Sequence, residues 1–205
     1  MLNRRTFVSA SAVAAASIAV PAVYAQPKLE RTKVAISVGG KAAFYYLPLT
    51  ISEQLGYFRA EGLEVEISDF AGGARALQAL IGGSADVCSG AYEHTINLQA
   101  KNQYLQSIVL QGRAPQIALG VSTKNMPGYA TLADLKGKKI GVSAPGSSTN
   151  MVANLVLSRG GIKPADVSYV GVGVAAGALT GLRRYPYGSV SWALASVAAS
   201  VRAVR

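Results

Sequence analysis

Cysteine occurs once in the chain, as Cys88, and histidine once, as His94. A single cysteine permits no internal disulfide. One Cys, one His and scattered acids do not make a metal-ligand cluster. Cys88 lies in an apolar strand context, where a thiol is inert packing rather than a nucleophile. Acids are also scarce, 10 against 20 Lys and Arg, and none follows Asp166. Arg4, Arg5, Arg183, Arg184, Arg202 and Arg205 hold much of that excess, so residues 26–182 carry 14 basic and 10 acidic side chains. The remaining lysines are scattered and not interleaved with aromatics, which argues against a nucleic-acid partner. Gly39-Gly40 and Gly72-Gly73 match neither the Rossmann nor the P-loop glycine spacing. No cofactor is therefore expected. Long apolar runs are missing too: the stretch Val8 to Val20 is about 13 residues, short of a membrane span.

That stretch has a different reading. Residues 1–25 place Arg4-Arg5 before an apolar segment and end Pro21-Ala22-Val23-Tyr24-Ala25, a pattern that predicts an export signal cleaved before Gln26. The arginine pair resembles a twin-arginine signal, although ordinary export signals carry such pairs as well. No cysteine follows the run, so a lipid anchor is not expected, and the mature protein is expected free in the periplasm.

The chain that follows alternates short apolar strands with helices. Val34 to Val38 reads as a buried strand, followed by Gly39-Gly40. Leu47, Ile51, Leu55 and Phe58 fall on one helical face, with Pro48 near the helix start. Leu63, Val65 and Ile67 alternate as a second strand. Phe70-Ala71-Gly72-Gly73 leads into a helix with Ala76, Leu77, Leu80 and Ile81 on one face. Ala85 to Cys88 is a third strand running into Ser89-Gly90-Ala91-Tyr92-Glu93-His94, with a helix to Lys101. Tyr104 to Leu110 and Gln116 to Val121 read as further strands. A second unit follows: a capping box at Thr131 to Asp134, a strand from Lys139 to Val142, a helix to Arg159, and a strand from Val167 to Val172. This order predicts an α/β fold with mainly parallel sheets. Past Arg183 the periodicity fails, and residues 185–205 read as an aberrant basic tail with no element assigned.

Ligands in open α/β sheets bind at the carboxyl ends of the strands. The loop Ala144 to Asn150 is the best polar candidate. Ser147, Ser148 and Thr149 precede a helix, and hydroxyls plus free N–H groups there suit a carboxylate, sulfonate or phosphate. Plain helix capping is the competing reading. Three other glycine-bearing strand ends (Gly39-Gly40, Gly72-Gly73, Ser89-Gly90) can face that loop across a cleft. Lys41 can supply a cation, or simply be solvated. Of Phe44, Tyr45 and Tyr46, at least one is expected in the core and another can stack on a planar ligand. Tyr92 and His94 offer a ring and an ionisable donor, with a structural role for His94 the alternative.

Taken together, the export-signal pattern, LGYFRAEGLEVEI after Pro48, FAGGARALQALIGGSADV, SGAYEHT, TLADLKGKKIGVS and APGSS resemble the periplasmic solute-binding proteins of the nitrate/sulfonate/taurine importer family. That group shares a type II periplasmic binding fold with thiamine-pyrimidine precursor proteins. The resemblance runs from residue 1 to about 182. It implies two α/β lobes, residues 26–115 and a partial 116–184, closing on a small anionic or heterocyclic solute. It also implies a monomer that delivers the solute to permease subunits of an ABC importer in the inner membrane. Carried over, the ligand-facing positions are Gly39, Gly40, Lys41, Ala42, Ala43, Gly72, Gly73, Ser89, Gly90, Tyr92, Ala144, Gly146, Ser147 and Ser148. A pyrimidine-precursor synthase on the same fold would need a metal or cysteine cluster and would lack the export signal, so no enzymatic role is expected. Tyr185-Pro186-Tyr187 breaks the family pattern, so a truncated or frameshifted product with an incomplete second lobe is expected, and a non-functional fragment is the alternative to a working binding protein.

Overall fold

The computed structural model describes residues 29–184 and 189–193, apart from 115 and 123. The expected export signal and its cleavage site, the Tyr185-Pro186-Tyr187 break and the last twelve residues of the tail lie outside the described residues. The elements below all belong to one unit, Arg31–Arg205.

Strand β1 (Lys33–Val38) forms where the sequence alternates into an apolar run, and its last three residues are buried. A 3-10 turn (Phe44–Tyr46) leads into helix α1 (Leu47–Gln54), with Pro48 in its first turn. Gly56 adopts φ 75°, in the left-handed region, and separates α1 from the short helix α2 (Tyr57–Ala60). Phe58, expected on the same helical face, therefore lies on a separate helix beyond a glycine that takes φ > 0 at little cost. Strand β2 (Glu64–Asp69) follows, then α3 (Gly73–Ile81), β3 (Val87–Ser89) and α4 (Glu93–Gln99). The three strands form a parallel sheet in the order β2-β1-β3.

Tyr104 to Leu110, expected as a strand, forms no element among the described residues and is exposed apart from the half-buried Leu105. A strand needs a free sheet edge as well as an apolar sequence, and β3 offers only three residues. The predicted face of α1 also fails. Leu47, Ile51 and Leu55 are 42%, 42% and 63% exposed, while Tyr46 and Leu49 are buried. The core of this sheet is Ile36, Val38, Ala43, Tyr46 and Leu49, with Val34, Phe58, Val65, Ile67 and Val87 packed on it.

The second sheet contains β4 (Ile117–Val121), β5 (Lys139–Val142), β6 (Ser168–Gly171) and β7 (Ser189–Ala193) in the order β4-β7-β5-β6. Strand β7 runs parallel to β5 and antiparallel to β4. A stretch expected to hold no element thus contributes an interior strand. Helices α5 (Ser148–Arg159) and α6 (Ala176–Arg184) complete this unit. The Thr131 box is present: the Asp134 carboxylate accepts from the backbone N–H groups of Ala130 and Thr131 at 2.9 and 2.8 Å. Leu135, Ile140, Val142, Ala153, Leu157 and Ile162 form a separate core. Two sheets with two cores make a two-lobed mixed α/β fold, and loops at the strand ends of the two lobes meet.

Candidate functional site

The turn after β1 is fastened within its own lobe. Asp69, at the end of β2, accepts on Oδ1 from the N–H groups of Gly40 (2.8 Å) and Lys41 (2.9 Å). The Lys41 ammonium pairs with Glu53. The donors that the sequence offers to a ligand at Gly40 and Lys41 are thereby used inside the protein.

The glycines serve a second purpose, which is close approach of backbones. A Cβ on Gly39 would lie 2.2 Å from the Gly73 nitrogen. One on Gly72 would lie 3.0 Å from Ser143 Oγ and 3.1 Å from the Ala144 nitrogen, in the other lobe. Gly40 has φ +97°, and a Cβ there would meet the Val174 side chain at 2.5 Å. Side chains at Gly40 or Gly72 would push the lobes apart, and one at Gly39 would push apart two loops of the same lobe. Ser147 adds a direct link: its fully buried Oγ accepts from the Ala74 N–H, at the start of α3, at 3.0 Å. Ser147 does not cap its own helix. Thr149 turns inward instead, its Oγ1 accepting from the Ser143 N–H at 3.0 Å and sharing a hydrogen with Ser143 Oγ at 2.9 Å.

Between these loops lies a cavity of about 390 Å³. Of the expected site residues, Gly39, Ala43, Gly73, Tyr92 and Ser148 line it. Gly40, Lys41, Ala42, Gly72, Ser89, Gly90, Ala144, Gly146 and Ser147 do not. Ser89 donates to Gln111 Oε1 at 2.9 Å, and the Gly146 N–H donates to Asn150 Oδ1 at 2.9 Å. Gly90 backs onto Cys88 Sγ, which a Cβ would approach to 3.2 Å. Ala144 belongs to a neighbouring recess of about 380 Å³ with Arg75 and Gln78.

The rest of the cavity wall is mostly apolar: Tyr45 and Tyr46 on one side, Met151, Val152 and Leu155 of α5 on another, and Val174, Ala175 and Ala178. Tyr45 and Tyr46 meet edge to face, with ring centroids 5.0 Å apart. Burial pushes both phenols above their usual range, and the Glu93 carboxylate adds to this for each. Two charged residues also line the cavity, Arg113 and Glu93. Neither was singled out by sequence reasoning. Arg113 sits in a connection with no motif around it, whereas Glu93 lies inside the SGAYEHT loop and could have been found there. Ser143, and Ser148 and Thr149 at the start of α5, complete the polar part of the wall.

His94 lies beneath this wall. It is buried, its Nε2 has no partner, and a Cβ on Gly73 would stand 3.2 Å from that nitrogen. Burial holds its pKa below the usual 6.5, with Glu93 acting in the opposite direction. The imidazole is therefore neutral at neutral pH. Burial likewise pushes the Cys88 thiol up, so it stays protonated. Among the described residues, no three His, Cys, Asp or Glu side chains converge to hold a metal ion.

Two sheets joined by glycine contacts around a cavity are the arrangement of a solute-binding cleft. The model of a known family, NMT1/THI5 like, matches residues 43–181. The chain belongs to that family. A Brucella abortus (strain 2308) protein, named as a candidate binding protein, is 30% identical to this NMT1/THI5-like chain over 173 residues, covering 82% of this chain and 49% of the relative. The chain thus spans about half the length of the curated relatives it matches. A solved structure of a Bordetella bronchiseptica RB50 protein is 58% identical, with a TM-score of 0.84, over 86% of this chain and 56% of that one. The alkanesulfonate-binding protein SsuA from Xanthomonas axonopodis pv. citri superposes with a TM-score of 0.56 at 21% identity, over 81% and 55% of the two chains. The periplasmic nitrate-binding protein NrtA from Synechocystis PCC 6803 does so at 0.59 and 18%, over 80% and 47%. The NMT1/THI5-like chain therefore has the periplasmic-binding-protein fold, spans about half of each of these structures, and two of those neighbours are named as binding proteins.

Proposed function

We propose that the protein is the substrate-binding component of an ABC importer. It takes a small anionic or heterocyclic solute into the cavity between its lobes and hands it to permease subunits in the inner membrane. The single observation that carries this reading is the cavity itself, set where strand ends from both lobes meet and lined by Ser148, the start of α5 and Arg113 around an apolar body. Neighbours of the same fold named for alkanesulfonate and nitrate support the solute class. The mature protein acts as a monomer in the periplasm, after removal of residues 1–25.

Thermal unfolding of the purified chain against nitrate, alkanesulfonates, aromatic carboxylates and pyrimidines tests the reading. A solute held at about 100 times its dissociation constant should add about 2.7 kcal/mol of stability. A flat panel with a non-cooperative melt would overturn it in favour of a fragment without binding activity. Turnover of any panel member would revive a catalytic role. Cell fractionation and N-terminal sequencing test export, with Gln26 expected as the first residue of the mature form.

A further inference from the structure

A second side-chain hydrogen bond crosses between the lobes, besides the one at Ser147. Asn97 Nδ2, on α4, donates to Met151 Sδ, on α5, at 3.2 Å. A thioether is a weak acceptor, so this bond breaks more easily than the one from the Ala74 N–H to Ser147 Oγ. Met151 is half-buried and lines the cavity beside Val152 and Leu155 of its own helix, while Asn97 is exposed. The Met151 side chain therefore borders an open cavity and a solvated amide at once. Met126, the other methionine among the described residues, packs on the core around Leu135 and does not line the cavity. A thioether within reach of a peroxide is converted to a sulfoxide, which is polar and chiral. Asn97 covers one of the two sulfur lone pairs of Met151, and 3.2 Å leaves no room for an oxygen atom between nitrogen and sulfur.

We propose that Met151 is an oxidation site through which a hydroperoxide uncouples the two lobes. The lone pair not held by Asn97 attacks a peroxide oxygen. An S–O bond forms, the O–O bond breaks, and sulfur gives up two electrons. The proton on the transferred oxygen passes to the departing hydroxide, so hydrogen peroxide leaves as water. The new S–O dipole is poorly placed in a wall built with Val152 and Leu155. The side chain turns out of that wall and the Asn97 link is lost. Opening there uncovers the Ala74 N–H, which Ser147 otherwise holds. This goes beyond solute binding and does not depend on it, since neither the reaction nor its readouts need a solute.

The test treats the full chain with hydrogen peroxide at neutral pH and follows it by peptide mass spectrometry. Met151 should gain one oxygen several-fold faster than Met126. One sulfoxide epimer should predominate, so that only one of the two epimer-specific sulfoxide reductases, supplied with a dithiol, removes most of it. Asn97→Ala should oxidise faster and yield both epimers. In the oxidised protein the Ala74 amide should exchange its hydrogen several-fold faster, while the Val38 amide in the buried sheet keeps its protection. Met151→Leu conserves volume and apolar character, and should make Ala74 exchange indifferent to peroxide; Met126→Leu should leave the response intact. Faster oxidation of Met126, equal epimers in the unsubstituted protein, or unchanged Ala74 protection once Met151 is fully oxidised each overturns the proposal. So does a peroxide response that persists in Met151→Leu. None of these results bears on solute binding, which the thermal panel tests separately.

Discussion

Ser147 is a residue whose type was legible and whose work was not. Read along the chain it is a helix cap; in three dimensions it accepts the Ala74 N–H from the other lobe. Ser147→Ala leaves that donor unsatisfied and should destabilise the protein by about 1–3 kcal/mol, as read by urea unfolding. The expected ligand contacts at Gly40 and Lys41 likewise gave way to Asp69 and Glu53, partners distant in sequence that no local pattern announces. Gly39 is the sharper case. A methyl group there would sit 2.2 Å from the Gly73 nitrogen, which is backbone and cannot step aside. Gly39→Ala should cost about 1–3 kcal/mol or more by forced backbone shift. Gly128→Ala, with nothing within 4 Å of the new methyl, should be neutral or stabilising by about 0.4–1 kcal/mol. Equal melting temperatures for the two variants would contradict the close approach of the loops after β1 and before α3.

At the scale of elements, β1 and β5 appear where their apolar runs put them, because a buried parallel strand needs little more than such a run between turn signals, and β2 appears where polar and apolar residues alternate. Strand β7 was missed although Ser189-Val190-Ser191-Trp192 alternates polar and apolar residues. Five residues of alternation after a break in the helical and turn pattern are a weak signal by themselves. Val190 is registered with Gly120 on β4 and Gly141 on β5, so Val190→Pro would interrupt an interior ladder. A loss of about 3 kcal/mol or more is expected, concentrated in the second sheet and visible as hydrogen-exchange protection lost from β4 and β5. Helix α1 erred differently. The four-residue spacing of Leu47, Ile51 and Leu55 is a correct amphipathic pattern, but the face it marks is exposed. Replacing Ile51 and Leu55 by Lys should change stability by less than about 0.5 kcal/mol each while reducing self-association in light scattering. A large drop in stability would mean that this face is packed.

For the whole molecule, acid should act in two stages. His94 has a folded-state pKa lowered by burial, so the unfolded chain binds its proton first. Stability should therefore begin to fall as pH drops through 6.5, the ordinary imidazole value. Asp86 is held low by the Ala35 N–H and then by Arg31, and Asp134 by the N–H groups of Thr131 and Ala130. Their contributions are complete above 3.8 and are lost as pH falls through their lower folded values. Urea midpoints measured from about pH 8 to about pH 3 should show both stages. His94→Gln should abolish the upper one and Asp86→Asn should shrink the lower. A single stage in the unsubstituted protein would mean that His94 is open to water.

The sequence by itself determined the alternation of strands and helices, the α/β class, the glycine-bearing strand ends and the family to which they belong, since all of these rest on local periodicity and contiguous motifs. Only the tertiary structure decided which of the candidate residues reach the cavity. Gly39, Ala43, Gly73, Tyr92 and Ser148 line it; Glu93 joins them from the start of α4, inside a quoted motif, and Arg113 from a connection that carried no signal. The reason is physical. A backbone N–H or a hydroxyl can satisfy a ligand or a neighbour, and the choice is made by whichever acceptor the fold brings within about 3 Å of it. For Gly40, Lys41 and Ala74 that acceptor was Asp69 or Ser147. For Glu93 the fold brings no donor to Oε1 among the described residues.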